Sequence, residues 1–495
     1  MGQMRFTAPH PERITPFLLE RAYIAGMDSI PWLSTAEWDG STLTVSRDIR
    51  ESGNLHIPWP VAGHGELMLS TASLMERRAP YLLPLELARG TLNRIRNQCA
   101  NWQLQGLQVS DSSNRQLNVA AQQFAIAATT QVDPRRAAEA AERTLSLALD
   151  AARMLVDEFT TQVFAARAQQ GPQNPKLLGG NIGYRIMDER ATRRILRAFN
   201  SAVVPAHWKS IELDQGRFDF QAAERQLQFC RDQGLRVIGG PLLDLSRANL
   251  PDWMTLWEGD YDMAQPSIMK FIQSTIEKLR GQVHVWNVAA GINVADALHL
   301  SEEQRLRITV DAIELVRKLD GKVPMLVTFD QPFAEYLAHE DYELSPLHFA
   351  DTIVRAELGV AGLGLTFNLG YAPGGTTERD LIELHRLIDQ WSGLGLPLVI
   401  FLTAPSSDDV DPQAAAGVRT IPQAVAGGHS RDSQTEFVTR TLPLLLTKPM
   451  VHAVVWNQLF DDQPHTYPYG GLFDNRGKKK RAIRALSALR RQYLV

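Results

Sequence analysis

The feature that most constrains this chain is a rhythm that begins just after residue 175 and runs to the end: a short apolar run, then an amphipathic stretch, over and over. The short runs fall at 178–182, 202–204, 235–243, 283–289, 324–329, 362–367, 396–403 and 452–456, and they read as strands. The stretches between them, for example 222–233, 266–280 and 302–319, read as helices. Eight strands alternating with helices across 178–495 is the count of a (β/α)8 TIM barrel. The working face of such a barrel is built by the loops at the C-terminal strand ends. An open doubly wound sheet would alternate too, but it usually carries a glycine-rich phosphate loop after its first strand. The stretch LGGNIG at 178–183 lacks that spacing.

The rhythm upstream is different. Over 1–80, polar and apolar residues alternate in short runs such as 41–46 and 66–71, separated by turn residues at Asp39, Gly40, Gly63 and Gly65. This predicts a small antiparallel β-rich module. Over 81–172 the period becomes helical. Leu85, Leu92, Ile95, Cys99 and Trp102 share one face, and a second helix opens with Asp133 as N-cap and Pro134 at its first position. It continues through Ala137, Ala141, Leu145, Leu149 and Ala152, an alanine-rich face suited to close packing on the barrel or on a second subunit. The polar, Gly/Pro-bearing stretch 169–175 marks the boundary before the barrel.

Lys and Arg total 51 against 55 Asp and Glu, for a net charge of -4 with no dominating charged tail, so polyanion binding is not indicated. The basic residues near the end, RGKKKR at 476–481 with Arg484, Arg490 and Arg491, interleave with Ile483, Leu486 and Leu489 at helical spacing. They read as the wet face of the last barrel helix and require no nucleic acid. The two cysteines, Cys99 and Cys230, lie far apart in helical segments and read as buried thiols. No stretch has the length and apolarity of a membrane span. The opening MGQMRFTAPHPERITPF has no continuous apolar run, so with Met1 as the start a cytoplasmic location is expected.

Four segments of the barrel carry a resemblance. Phe199, Asn200 and Ser201, followed by Trp208, Glu212 and GRFDF at 216–220, form one. CRDQGLRVIGG at 230–240 with LPDW at 250–253 forms the next, and GQVHVWNV at 281–288 the third. PLVIFLT at 397–403, Trp456 and GLFD at 471–474 complete the set. Together they are similar to the strand regions of the xylanases of glycoside hydrolase family 10. That family uses two glutamates at the ends of strands four and seven as acid/base and nucleophile, and a retaining mechanism needs such carboxyls about 5 to 5.5 Å apart. The resemblance places them at Gly291 and Ala404, neither of which can give a proton or attack carbon. It also sets the family's neighbouring Asn at Ala290, its second-strand Glu-Asn pair at Val203 and Val204, its Lys at His207, and its third-strand His and Trp at Gly240 and Asp244. The resemblance therefore implies a remade site without ordinary retaining xylanase activity.

The strand ends nevertheless read as polar. Asp330, Asp461 and Asp462 are the candidate catalytic carboxylates, and Asp244, Gln331, Asn368, Tyr371, Trp456, Asn457, Gln458 and His465 are the candidate ligand-binding residues. Amides and carboxylates match sugar hydroxyls, and flat rings stack on sugar faces. His465 has no second His or Cys near it, so no metal is expected, and nothing in the sequence asks for a cofactor. Three functions fit: a non-catalytic relative binding a carbohydrate, a sugar-containing small ligand or another protein, an enzyme using Asp330 with Asp461 or Asp462 and with Asp244 as a further candidate, or an assembly protein on a barrel scaffold.

Overall fold

The computed structural model describes residues 2–169 and 176–494. All of the 169–175 boundary except Gln169 lies outside these residues. Eight strands close into a parallel barrel: Leu177–Asn181, Ser201–Val204, Arg236–Gly239, Val285–Ala290, Met325–Asp330, Val360–Asn368, Leu398–Thr403 and Val451–Trp456, with the last pairing onto the first. Each coincides with one of the eight apolar runs. Val203, Ile238, Leu326, Phe401 and Val455 point inward from five different strands and fill the barrel with a packed core.

The barrel helices also follow the amphipathic stretches, with one boundary moved. The helix expected to open at Pro266 spans Tyr261–Leu279 instead, because Asp260 caps it by accepting the Met263 N–H at 3.2 Å. Pro266 sits inside the helix. The helix Glu302–Asp320 opens on a reciprocal cap between Ser301 and Gln304, and Arg481–Tyr493 is the last barrel helix.

The N-terminal module has two sheets. In one, Ser34–Trp38, Thr42–Arg47 and Gly2–Thr7 pair antiparallel, and Tyr81–Leu82 adds parallel to Gly2–Thr7. The parallel pair departs from the all-antiparallel expectation because its partners are 75 residues apart, beyond what a hairpin pattern reveals. The other sheet is Tyr23–Ala25, Asn54–Val61 and Gly65–Ser70. Three helices follow: Leu83–Leu104, Asp111–Thr129 and Pro134–Gln169. Asp133 caps the third through the Arg136 N–H. Gly90 lies where the first helix crosses the module, and a Cβ there would stand 2.2 Å from the Ser70 carbonyl, so only glycine allows this approach.

This helical layer packs on the barrel. Leu92, Ile95, Trp102, Leu155 and Val156 form one core with Ile382 and Leu444 of the barrel helices Leu381–Ser392 and Arg431–Thr447. Polar contacts cross the same boundary. Arg94 donates to Asp380 at 2.5 Å and to Ser70 at 3.0 Å, Trp102 Nε1 donates to His385 at 3.2 Å, and Arg379 donates to the Tyr23 hydroxyl at 2.7 Å. Both cysteines are buried free thiols, and burial pushes Cys230 up to about 12. Among the described residues no helix is long and apolar enough to cross a membrane.

Candidate functional site

The C-terminal strand ends surround a cleft of about 370 Å³. Strand five ends in Asp330, whose side chain lines the cleft and is half-buried. Its backbone is clamped on both sides by Asn293, which donates to the Asp330 carbonyl at 2.9 Å and accepts its N–H at 3.1 Å. Burial pushes the Asp330 carboxyl up to about 6. A hydrogen bond from Thr366 opposes the shift, and the nearby charge of Asp244 adds to it. Asp244, on the loop after strand three, lines the same cleft and accepts the Ser246 N–H at 2.9 Å, yet burial still raises its pKa.

Asn368 ends strand six. Its Nδ2 donates to the Tyr467 hydroxyl at 2.6 Å, while its buried Oδ1 has no hydrogen-bond partner among the described residues. After strand eight, Asn457 and Gln458 line the cleft. Gln458 pins the loop that brings Tyr467 in, donating to the Tyr467 carbonyl at 3.0 Å and accepting its N–H at 3.2 Å. His465 lines it too, with one ring nitrogen 3.0 Å from Asp411 and the other 2.7 Å from the Gln463 carbonyl. Among the described residues no group of three or more His, Cys, Asp or Glu could hold a metal.

Five of the expected residues sit elsewhere. Asp461 is fully buried behind the wall, 2.5 Å from Lys480 Nζ, and also accepts the Gly471 N–H at 2.7 Å. Asp462 is turned away into an ion pair with Arg185 at 2.7 Å. Neither lines the cleft; of the four carboxylates expected at the strand ends, Asp330 and Asp244 do. Tyr371 and Trp456 are core residues rather than stacking platforms. Their polar ends are satisfied internally by the carbonyls of Pro468 at 3.1 Å and Gly470 at 2.9 Å. Gln331, in a left-handed turn at φ 48°, leads the chain away, and its carbonyl accepts the Ala334 N–H at 2.7 Å.

Residues that the sequence did not single out complete the site: Thr366 and Tyr467 beside Asp330, and Asn293 behind it. Thr366 stands two residues before Asn368 on the same strand, so strand period alone would have put both on one face. Tyr467 and Asn293 come from irregular loops and carried no such signal. Gly291 and Ala404 differ in setting. Gly291 lines the cleft at φ 62°, and a Cβ built there would lie 3.6 Å from Asp330 Oδ2. Ala404 is buried, does not line the cleft, and its carbonyl accepts from Gln434 at 2.9 Å.

The elevated Asp330 pKa has a consequence for stability. The folded protein holds this proton up to about pH 6, whereas an unfolded chain releases it near pH 4. Between these values the folded state binds more protons, so stability falls as pH rises through the window. Asp330→Asn is therefore expected to stabilise the fold by about 1–2 kcal/mol above pH 7, discounted for partial exposure, and to leave it unchanged near pH 4. Urea denaturation of both proteins at the two pH values checks this; equal differences at both would remove the assignment.

The profile of glycosyl hydrolase family 10 matches residues 173–306, which hold the first four barrel strands, Asp244 and Gly291. No curated protein matches the chain. Among solved structures, native xylanase 10B from Thermotoga maritima superposes with a TM-score of 0.48 at 16% identity, over 65% of this chain and 96% of its own. Xylanase 10B from Thermotoga petrophila RKU-1 in complex with xylobiose gives 0.48 at 15%, over 66% and 100%. The similarity to family 10 thus covers residues 173–306, the first half of the barrel.

Proposed function

We propose that the cleft binds carbohydrate and does not carry out the two-step retaining hydrolysis of xylan. The observation that carries this reading is an asymmetry of carboxyls. Beside Gly291, where the resemblance sets the family's acid/base, the Asp330 carboxyl stands within van der Waals reach. At Ala404, where it sets the nucleophile, the residue is buried outside the cleft. A group that gives a proton without a partner to attack the anomeric carbon cannot complete a double displacement. The remaining lining of Asn181, Asn457, Gln458, Thr366 and Tyr467 offers amides and hydroxyls suited to sugar hydroxyls.

Purified protein is expected to release no reducing ends from xylan above a heat-killed control. It is expected to bind short neutral oligosaccharides in calorimetric titration, and Asp330→Ala should weaken that binding about tenfold, the scale of a hydrogen bond to a charged group. Hydrolysis of xylan at a rate destroyed by Asp330→Ala would replace the reading with the second one. In that case Asp330 acts as acid and Asp244, whose charge already bears on it, acts as base on water in a single inverting displacement.

A further inference from the structure

We infer that the ligand this cleft is built for is cationic and that, among carbohydrates, it is an amino sugar with a free, protonated amine. The inference rests on the carbohydrate reading above and names the class within it. The cleft lining contains the carboxyls of Asp244 and Asp330 and, among the described residues, no lysine or arginine. The two histidines of the lining do not alter the balance: any charge on His465 is matched by Asp411 at 3.0 Å, and His207 is exposed to water. Two carboxyls drawn out of water with no counter-charge are costly, and burial holds both toward their neutral forms.

A second observation concerns hydrogen bonding rather than charge. Asn368 is 3% exposed, its amide nitrogen is committed to Tyr467, and its Oδ1 has no donor. At the end of strand six the unfilled capacity is therefore an acceptor's. An ammonium group offers three donors and no acceptor, which matches both the charge and the unfilled acceptors. A sugar bearing carboxylate or phosphate would meet like charge with nothing to receive it, and juxtaposed like charges suppress binding. A neutral sugar supplies donors but leaves the carboxyls uncompensated.

The test titrates the full chain at near-neutral pH with a glucosamine oligosaccharide, its N-acetylated counterpart, and 1,5-diaminopentane. The free-amine sugar is expected to bind at least about tenfold tighter than the acetylated one. The preference should shrink to about twofold or less at high salt and in Asp244→Asn/Asp330→Asn, whose melting curve confirms its fold. Equal or tighter binding of the acetylated sugar overturns the amine inference and leaves the carbohydrate reading standing. Binding of the diamine alone, lost in the double variant, supports the cationic class and overturns the carbohydrate reading. A protein that binds none of the three overturns both.

Discussion

A chain beginning at Lys176, and so carrying the barrel alone, is expected to be insoluble or to denature far below the full-length protein. The reason is what the N-terminal helices cover. Ile382 and Leu444 are fully buried only because Leu92, Ile95, Trp102, Leu155 and Val156 pack on them. Returning each to water costs about 1.5–3 kcal/mol and joins them into a contiguous apolar patch of the kind that aggregates. The polar boundary is lost with them. Asp380 and Arg379 give up Arg94 and Tyr23, and His385 gives up Trp102. Differential scanning calorimetry decides the matter: a barrel that melts cooperatively at the temperature of the intact chain shows that the N-terminal part is a passenger.

The largest expected effect of a single substitution lies behind the cleft wall. Lys480 and Asp461 have side chains 1% and 0% exposed, and Lys480 also donates to Ser406 at 2.7 Å and to the Tyr469 carbonyl at 3.0 Å. Lys480→Ala leaves Asp461 buried without its cation, which costs about 3–5 kcal/mol, or roughly 3–5 °C in melting temperature for a chain of this length. Lys480→Met with Asp461→Asn should recover part of the stability, because removing both charges removes the uncompensated one. If Lys480→Ala alone melts within about 1 °C of the parent, the pair contributes no more than a surface ion pair.

Lys480 also shows where sequence reading runs out. It stands in a run of cations, Lys478, Lys479, Lys480 and Arg481, in which nothing local distinguishes the one that enters the interior. Asp461 could thus pass for a free carboxylate, because its partner is 19 residues away across an irregular loop. The barrel strands were legible because a strand buried on both faces leaves a continuous apolar mark. The helix Asp111–Thr129 was not, since its buried face is only Ser113, Leu117, Ala120 and Ala127, too small and mixed to stand out from its polar neighbours. Asp330, Asp244 and Asn368 were legible for the same reason as the strands: once a strand is placed, the residues at its C-terminal end are placed too. What could not be read was which of them face one another.

The docking of the N-terminal module has a consequence for how this barrel can change. Met68 donates to the Glu378 carbonyl at 2.8 Å, and Gly65 lies so close to the Ala424 carbonyl that a Cβ would stand 2.5 Å from it. Those contacts fall on the loops after strands six and seven, and neither loop contributes lining to the cleft beyond Asn368. In a free-standing barrel every mouth loop is open to variation, which is how one scaffold comes to host many specificities. The loop after strand five is held as well, with Ala338 packed among Tyr23, Ala25 and Met68; three of the eight are thus held by another part of the same chain, and an insertion in any of them must also be accommodated at that seam. The inheritable freedom of this protein to acquire a new ligand, and a protein engineer's freedom to give it one, is concentrated in the loops after strands one, two, three, four and eight.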